Sequence, residues 1–380
     1  MTKPTLFLVP IEPIESRYTA SWYRNFPPAL STDFDVRVID GVPLTDKIEV
    51  GSFLDINSTV AYKSSQMQAI AKLFREGNVP NGSVFFVLDI EFWGIEAIRL
   101  MAQMNGVNVT LVGFLHAGSY YTDDAFAVAA PYQQYTEVGW VAAFDLVMVG
   151  SQYHKDMFVE KRLVPAGRSD LAARISVCPN PLFEQDYART GKPKVNQVVL
   201  PNRVDWGKRP DLAFTIAALV KAKRPDWKFV VTTGKDDLHS DRKWLSDYAY
   251  WLESQGVLEI KRGLSKAQYH EVLETSKIML TTSIDETFGY CIAESMHYGT
   301  LPLMRQGLSH TEFQCPSEFY FKDEDDAIEK LVDMMDNTDY YGNCMADDME
   351  ATDFEGKYLR GVDAMVREIR NVAKRKKVVV

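Results

Sequence analysis

Short apolar runs rich in β-branched and aromatic residues recur along the chain, separated by longer amphipathic stretches. In the first half the runs are Thr5–Val9, Asp35–Ile39, Val84–Leu88, Val109–Leu115, Leu146–Val149 and Ile175–Cys178. In the second half they are Val198–Leu200, Lys228–Thr232, Leu258–Ile260, Ile278–Thr282, Leu301–Met304 and Phe319–Phe321. Runs that are apolar throughout, without strict alternation, mark strands covered on both faces, and helical connectors between them imply parallel sheets. Two sets of about six such units predict an α/β chain of two doubly wound domains.

The boundaries follow from composition. Pro179-Asn180-Pro181, and the polar stretch from Glu184 to Asn196 with Arg189, Gly191, Lys192 and Lys194, suit a hinge or linker. Domains are therefore expected over residues 1–182 and 183–356, with a carboxy-terminal helix and basic tail over 357–380. That helix, roughly Gly356–Arg370, carries Leu359, Val362, Met365, Val366 and Ile369 on one face and is able to pack back on the first domain. Lys374-Arg375-Lys376-Lys377 and a terminal Val-Val-Val read as a solvated, frayed end.

At 380 residues, with 46% hydrophobic and 25% charged positions, the chain has the bulk for two cores and is not a disordered protein. A formal charge of −10 argues against chain-wide binding to nucleic acid or anionic membrane, although a local basic groove stays open. Cys178, Cys291, Cys315 and Cys344 form no CxxC pair, so no disulfide framework or zinc knuckle is implied. The amino-terminal apolar run stops at Glu12, and no run reaches eighteen apolar residues. A soluble protein in a reduced, cytoplasmic compartment, without membrane partners, is the expectation.

The chemistry concentrates where the run Ile278–Thr282 ends. There the chain reads Ser283-Ile284-Asp285-Glu286-Thr287-Phe288-Gly289-Tyr290-Cys291-Ile292-Ala293-Glu294, and then Gly299 and Pro302 lead into the next strand. In an open α/β sheet, ligands sit beyond the carboxyl ends of strands, where a loop feeds a helix N-terminus. Gly289 permits close backbone approach, and the amides after it would face a diphosphate. Glu286 in the loop and Glu294 two turns into the helix can accept hydrogen bonds from sugar hydroxyls without moving protons. The plainer alternative makes Glu286 a helix-terminus charge and Glu294 a solvated helix residue.

Glu-x7-Glu in this setting resembles the retaining glycosyltransferases of the GT-B fold, the family typified by glycogen synthase-like and mannosyltransferase enzymes. A second segment agrees: Val198–Leu200 runs into Pro201-Asn202-Arg203-Val204-Asp205-Trp206-Gly207-Lys208-Arg209-Pro210, which is similar to the family's Arg-Leu-x-x-x-Lys-Gly. Arg209 stands where the family has glycine. The resemblance implies two facing Rossmann-like domains with a cleft between them. It implies a nucleotide-diphosphate sugar as co-substrate, a UDP-sugar favoured, with no tightly bound cofactor and no metal. Arg203 and Lys208 would clamp the diphosphate and neutralise charge on the leaving group. Glu286, with the backbone from Phe288 to Tyr290, would hold the donor sugar, and Glu294 the ribose. Configuration at the anomeric carbon would be retained, the departing phosphate helping to deprotonate the acceptor.

In the first half, Val109–Leu115 runs into His116-Ala117-Gly118-Ser119-Tyr120-Tyr121, and the resemblance sets His116 beside the transferred sugar. The first strand lacks a following glycine-rich turn. It leads instead into Pro10-Ile11-Glu12-Pro13-Ile14-Glu15-Ser16-Arg17-Tyr18-Thr19-Ala20-Ser21-Trp22, similar over about twenty residues to glycosyltransferases of tailed bacteriophages. Arg17 and Tyr18 would then meet donor or acceptor. That resemblance makes a hydroxymethylated pyrimidine in phage DNA the favoured acceptor, with saccharide or lipid-linked acceptors next, and host cytoplasm the location. Lys161-Arg162, Arg168, Arg189–Lys194 and the tail would form a basic rim, and Tyr120, Tyr121, Tyr132 and Tyr135 could stack on an extruded base. Asp123-Asp124, Asp236-Asp237 and Asp323–Asp326 lack metal-site spacing, and the last suits a helix cap. A sugar-nucleotide epimerase and a non-catalytic sugar-nucleotide sensor are the rival classes. The Arg-x4-Lys clamp favours transfer over epimerisation.

Overall fold

The computed structural model describes residues 3–15, 17–44, 56–121 and 125–378. Ser16, Asp123, Asp124 and the last two valines therefore lie outside the described residues. The chain divides into two compact units, Met1–Phe183 with Arg360–Val380, and Glu184–Leu359.

The first unit is a six-stranded parallel sheet in the order β2-β1-β3-β4-β5-β6. Its strands are β1 Thr5–Val9, β2 Asp35–Val38, β3 Ser83–Val87, β4 Val109–Leu115, β5 Leu146–Val149 and β6 Ile175–Val177. The connecting helices are α1 Tyr18–Leu30, α2 Ile56–Arg75, α3 Ile95–Met104, α4 Ala130–Ala143 and α5 Gln152–Phe158. The second unit repeats the plan with β7 Val195–Leu200, β8 Lys228–Thr232, β9 Leu258–Lys261, β10 Ser276–Thr281, β11 Leu301–Arg305 and β12 Tyr320–Phe321. Its helices are α6 Pro210–Lys223, α7 Lys243–Ser254, α8 Lys266–Thr275, α9 Tyr290–His297, α10 Glu324–Asp336 and α11 Thr338–Ala351. Helix α12, Gly361–Val378, returns to the first unit.

Every apolar run of the sequence overlaps one strand. The runs are legible because β3, β4 and β5 are buried at every position, which only a sheet sheathed on both faces requires. One core layer lies under α2 to α5 and includes Phe85, Ile98, Leu111 and Trp140. The other includes Trp22, Phe26, Phe86, Phe114 and Phe183, and is closed by Val362, Met365, Val366 and Ile369 of α12.

The sheet order of the second unit, β12-β11-β10-β7-β8-β9, reverses direction between β7 and β10. Loops leaving those two strands at their carboxyl ends diverge to opposite sides and leave a crevice, the usual ligand position of doubly wound sheets. In the first unit the reversal falls between β1 and β3.

Two expectations change here. The polar stretch 184–196 is no free linker. The Glu274 carboxylate accepts from Thr190 N at 2.9 Å, Thr190 Oγ1 at 2.7 Å and Gly191 N at 2.9 Å. Lys194 Nζ donates to the carbonyls of Glu274 and Ser276 and to Thr300 Oγ1, at 2.7 to 3.0 Å. Lys194 satisfies carbonyls left open where α8 meets β10, so the stretch is bound to the second unit. The carboxy-terminal basic run also differs, since its backbone continues α12 as far as Val378.

Candidate functional site

The motif segments meet at the reversal point of the second sheet. After β7 the chain makes a short 3-10 turn at Trp206–Lys208, and Gly207 O accepts from Ile284 N at 2.9 Å and Asp285 N at 3.2 Å. Thr282 Oγ1 donates to the carbonyls of Lys208 and Arg209 at 3.0 and 2.8 Å. Asn202 Nδ2 donates to Thr281 Oγ1 at 2.6 Å. The two loops are thus stitched along their length. Arg209 sits at φ +46°, ψ +53°, the left-handed conformation that explains a family glycine here. The strain is offset by a forked contact of its guanidinium with Asp211 and by its approach to the Trp206 ring at 5.0 Å.

Within this frame Lys208 Nζ meets Glu286 Oε2 at 3.1 Å and also donates to Asp285 O. Both side chains of the pair are 17% exposed. Burial opposes the charge on Glu286, but Lys208 foremost outweighs it and holds the carboxyl below its ordinary range. Ser309 Oγ donates to the carbonyls of Glu286 and Phe288 at 3.1 Å each, fixing the loop from behind. Gly289 follows at φ +95° as the residue preceding α9, and a Cβ there would come to 2.9 Å from Ile292 Cδ1. Phe288 is buried against Tyr290, Phe313 and Tyr358, so only its backbone can serve a ligand. The half-exposed Arg203 guanidinium meets Asp205 at 3.0 Å.

Glu294 is not a solvated helix residue. Its side chain is 4% exposed, and Oε1 accepts from Lys266 Nζ at 2.7 Å and Tyr187 OH at 3.2 Å, while Oε2 accepts from Tyr269 OH at 2.9 Å. His270 Nε2 lies 3.7 Å away. Sequence reading missed these partners, which come from Tyr187 and from the first two turns of α8. Ser265 and Gln268, a capping box at the start of α8, were the available signal that Lys266 opens a helix. Cys291 lies between the two glutamates, and burial followed by both carboxylates pushes its thiol well up.

In the first unit, His116 ends β4. Nε2 lies 2.7 Å from Leu88 O, and a carbonyl only accepts, so this nitrogen carries the proton. Nδ1 then accepts from Tyr18 OH at 3.1 Å. Burial pushes the imidazole pKa down, which leaves it neutral. Arg17 precedes α1 and donates its amide to Ile14 O. Beside them a group absent from the sequence reading gathers at the reversal point between β1 and β3. Lys63 Nζ meets Asp89 Oδ2 at 2.6 Å, Ser58 Oγ donates to Glu12 Oε1 at 3.1 Å, and Gln133 Nε2 donates to Glu91 Oε1 at 3.2 Å.

Several nucleic-acid candidates are buried or paired within the chain. Tyr120 and Tyr121 are 8% and 4% exposed, and Tyr120 OH is bonded to His154, so neither is open to a base; Tyr132 and Tyr135 are 68% and 74% exposed. Arg162 is buried against Glu137 and Ser119. Lys161, Arg168 and Lys192 pair with Glu160, Asp170 and Glu271, and Arg189 donates to His297 O. Asp323 caps α10 by accepting from Asp326 N at 3.0 Å. Among the described residues no group of three or more His, Cys, Asp or Glu could hold a metal, and no helix is long and apolar enough to cross a membrane.

Residues 183–345 match the family model described as Glycosyl transferases group 1. The match falls almost wholly within the second unit and, with the similar folds, indicates a transferase. Solved structures share the whole architecture. A sucrose-phosphate synthase from Thermosynechococcus elongatus is 12% identical, with all of both chains covered and a TM-score of 0.70. The catalytic domain of starch synthase IV from Arabidopsis thaliana, bound to ADP and acarbose, is 10% identical, with 99% of each chain covered and a TM-score of 0.65. A UDP-forming α,α-trehalose-phosphate synthase from Burkholderia vietnamiensis is 11% identical, covering 97% of this chain and 99% of that one, at 0.62. These likenesses show the GT-B fold. No curated protein sequence matches the chain.

The Glu294 environment predicts an acid-labile fold. Its carboxyl is held at about 2 against an ordinary 4.5; burial alone would raise it, and Lys266 first among its partners reverses the sign. A depressed folded-state value contributes stability that is complete above about pH 4.5 and is lost as pH falls toward 2, on the order of 3 kcal/mol in all. Unfolding free energy measured from pH 5 to 2 should fall more steeply for the native chain than for Glu294→Gln. Equal slopes would show that Glu294 carries none of it.

Proposed function

We propose that the chain transfers a sugar from a nucleotide-diphosphate donor held at the carboxyl ends of β7 and β10. The observation that carries this reading is the Lys208–Glu286 pair at the sheet's reversal point, next to the left-handed Gly289 and the start of α9. A diphosphate arriving there competes with Glu286 and Asp285 O for the Lys208 ammonium. Glu286, relieved of its partner, becomes an acceptor for the hydroxyls of the donor sugar. Arg203 supplies a second cation from its exposed position, and the α9 N-terminus adds the positive end of the helix dipole. Charge building on the leaving phosphate is thereby neutralised where it forms. The Glu294 corner takes the ribose.

Retention of configuration, with the leaving phosphate accepting the acceptor's proton, is supported by the resemblance of the Glu286–Glu294 segment to retaining glycosyltransferases. UDP remains the favoured nucleotide; a UDP-forming and an ADP-bound structure both stand among the similar folds.

On the acceptor side, the carboxyl edge of the first unit gathers Glu12, Asp89, Glu91 and the Tyr18–His116 pair. Carboxylates suit hydroxyl donors and repel phosphate, and the basic candidates for a DNA rim are largely paired elsewhere. A saccharide acceptor is therefore favoured over the modified pyrimidine of phage DNA, for which the amino-terminal resemblance and the exposed Tyr132 and Tyr135 speak.

A thermal-shift panel of UDP, GDP, ADP and CDP sugars tests the donor reading. The true donor at about 100 times its dissociation constant should add roughly 2.7 kcal/mol of stability. Lys208→Ala should abolish that shift and lower kcat by about 10²–10³-fold. No shift with any donor, or full turnover in the variant, overturns it. The acceptor reading is checked by salt: with a saccharide acceptor, apparent affinity should stay flat from 50 to 200 mM salt, whereas a DNA acceptor touching 6–10 phosphates would lose about 10³–10⁵-fold.

A further inference from the structure

We infer that Trp93 is the platform on which a neutral sugar ring of the acceptor stacks at the carboxyl edge of the first unit. The inference rests on the saccharide-acceptor reading above and assigns it a residue. Trp93 lies in the loop between β3 and α3, beside the reversal point between β1 and β3, and is 36% exposed. Its neighbour Phe92 is 1% exposed and belongs to the core layer under α2 to α5. A lone exposed apolar side chain is ordinary on a protein surface. Trp93 differs in how its ring is held.

Lys63 Nζ lies 5.3 Å from the centre of the Trp93 ring. The same ammonium donates to Asp89 Oδ2 at 2.6 Å and to the Glu91 carbonyl at 2.5 Å, and the lysine side chain is 5% exposed. An ammonium has three protons, and these three partners account for them. A buried charge thus lies against the indole and holds it by a cation–π contact, the kind that strengthens where water is excluded. The loop backbone is fixed as well. Glu91 N donates to Asp89 Oδ1 at 3.1 Å, Phe92 N donates to Ile90 O at 2.6 Å, and Gly94 at φ +88° turns the chain directly into α3. A ring held before any ligand arrives gives up little conformational freedom on binding.

The surroundings select a sugar. The C–H bonds of a pyranose carry slight positive charge and form an apolar face that fits the negative face of an indole, while its hydroxyls need acceptors around the rim. Acceptors are what this edge offers. The carboxyl groups of Glu12, Asp89 and Glu91 gather there, and the Lys63 charge is already neutralised by Asp89. A nucleobase also stacks on an indole, but it arrives with a phosphate backbone that carboxylates repel.

Tryptophan-emission titrations of the full chain, with UDP present, test the assignment. The probes are the methyl glycosides of glucose, galactose, mannose and N-acetylglucosamine, then maltose, and a single-stranded oligonucleotide containing hydroxymethylcytosine. At least one saccharide should move the emission of the native chain to shorter wavelength, the mark of an indole leaving water. Trp93→Phe should lose that change and still bind the same saccharide by saturation-transfer NMR. Trp93→Ala should bind it roughly tenfold more weakly, the size of one lost stacking contact. Far-ultraviolet dichroism verifies that both variants fold, and Trp93→Leu substitutes if the alanine variant is unfolded. Native affinity in Trp93→Ala would overturn the inference and leave the saccharide reading intact. Binding of the oligonucleotide with none of the saccharides would overturn both, as would a native chain that binds no probe.

Discussion

Two glutamates at the carboxyl ends of one sheet, Glu286 partly and Glu294 fully buried, must each be balanced by a cation, and much of the second unit is arranged to meet that requirement. A carboxylate removed from water costs several kcal/mol unless paired and hydrogen-bonded. Glu286 is paired by Lys208, which comes from the loop after β7; Glu294 is paired by Lys266, which opens α8. Each pair joins segments far apart in the chain, so the loops that form the crevice are fixed by the groups that would receive the ligand. Ser309, Thr282 and the Gly207 carbonyl reinforce the same contacts from the backbone side.

The two pairs differ in how they can respond to a ligand. Lys208 shares its ammonium between Glu286 and a carbonyl, and both side chains of that pair retain some exposure. Glu294 is enclosed by four side chains and is held at about 2, the mark of a site whose charge is fully used. The first pair is thus suited to exchange partners with a diphosphate, and the second to hold a shape. In the first unit the Lys63–Asp89 pair and the doubly bonded His116 follow the second pattern, keeping the edge ordered without leaving a free base.

The fold was legible because both sheets are covered on each face, which turns their strands into unbroken apolar runs. The segments holding Lys208 and Glu286 were legible for a local reason: each is the loop that follows a strand end and keeps its own spacing to a turn. What stayed hidden depends on long-range partners. Nothing near Glu294 in the sequence announces Tyr187, Lys266 or Tyr269. Arg162 reads as a surface cation until Glu137, twenty-five residues away, is seen to hold it. Tyr120 and Tyr121 follow a strand end and look available, but the loop turns them into the core against His154 and Phe158. Lys194 in a polar stretch gave no sign that three acceptors wait for it between α8 and β11.

The most direct measurement is a crystal structure of the chain with its nucleotide sugar bound. The diphosphate should lie beyond the carboxyl ends of β7 and β10, with Lys208 Nζ within about 3 Å of a phosphate oxygen and Glu286 turned to the sugar hydroxyls. A nucleotide bound at another edge, with the Lys208–Glu286 contact unchanged, would contradict it.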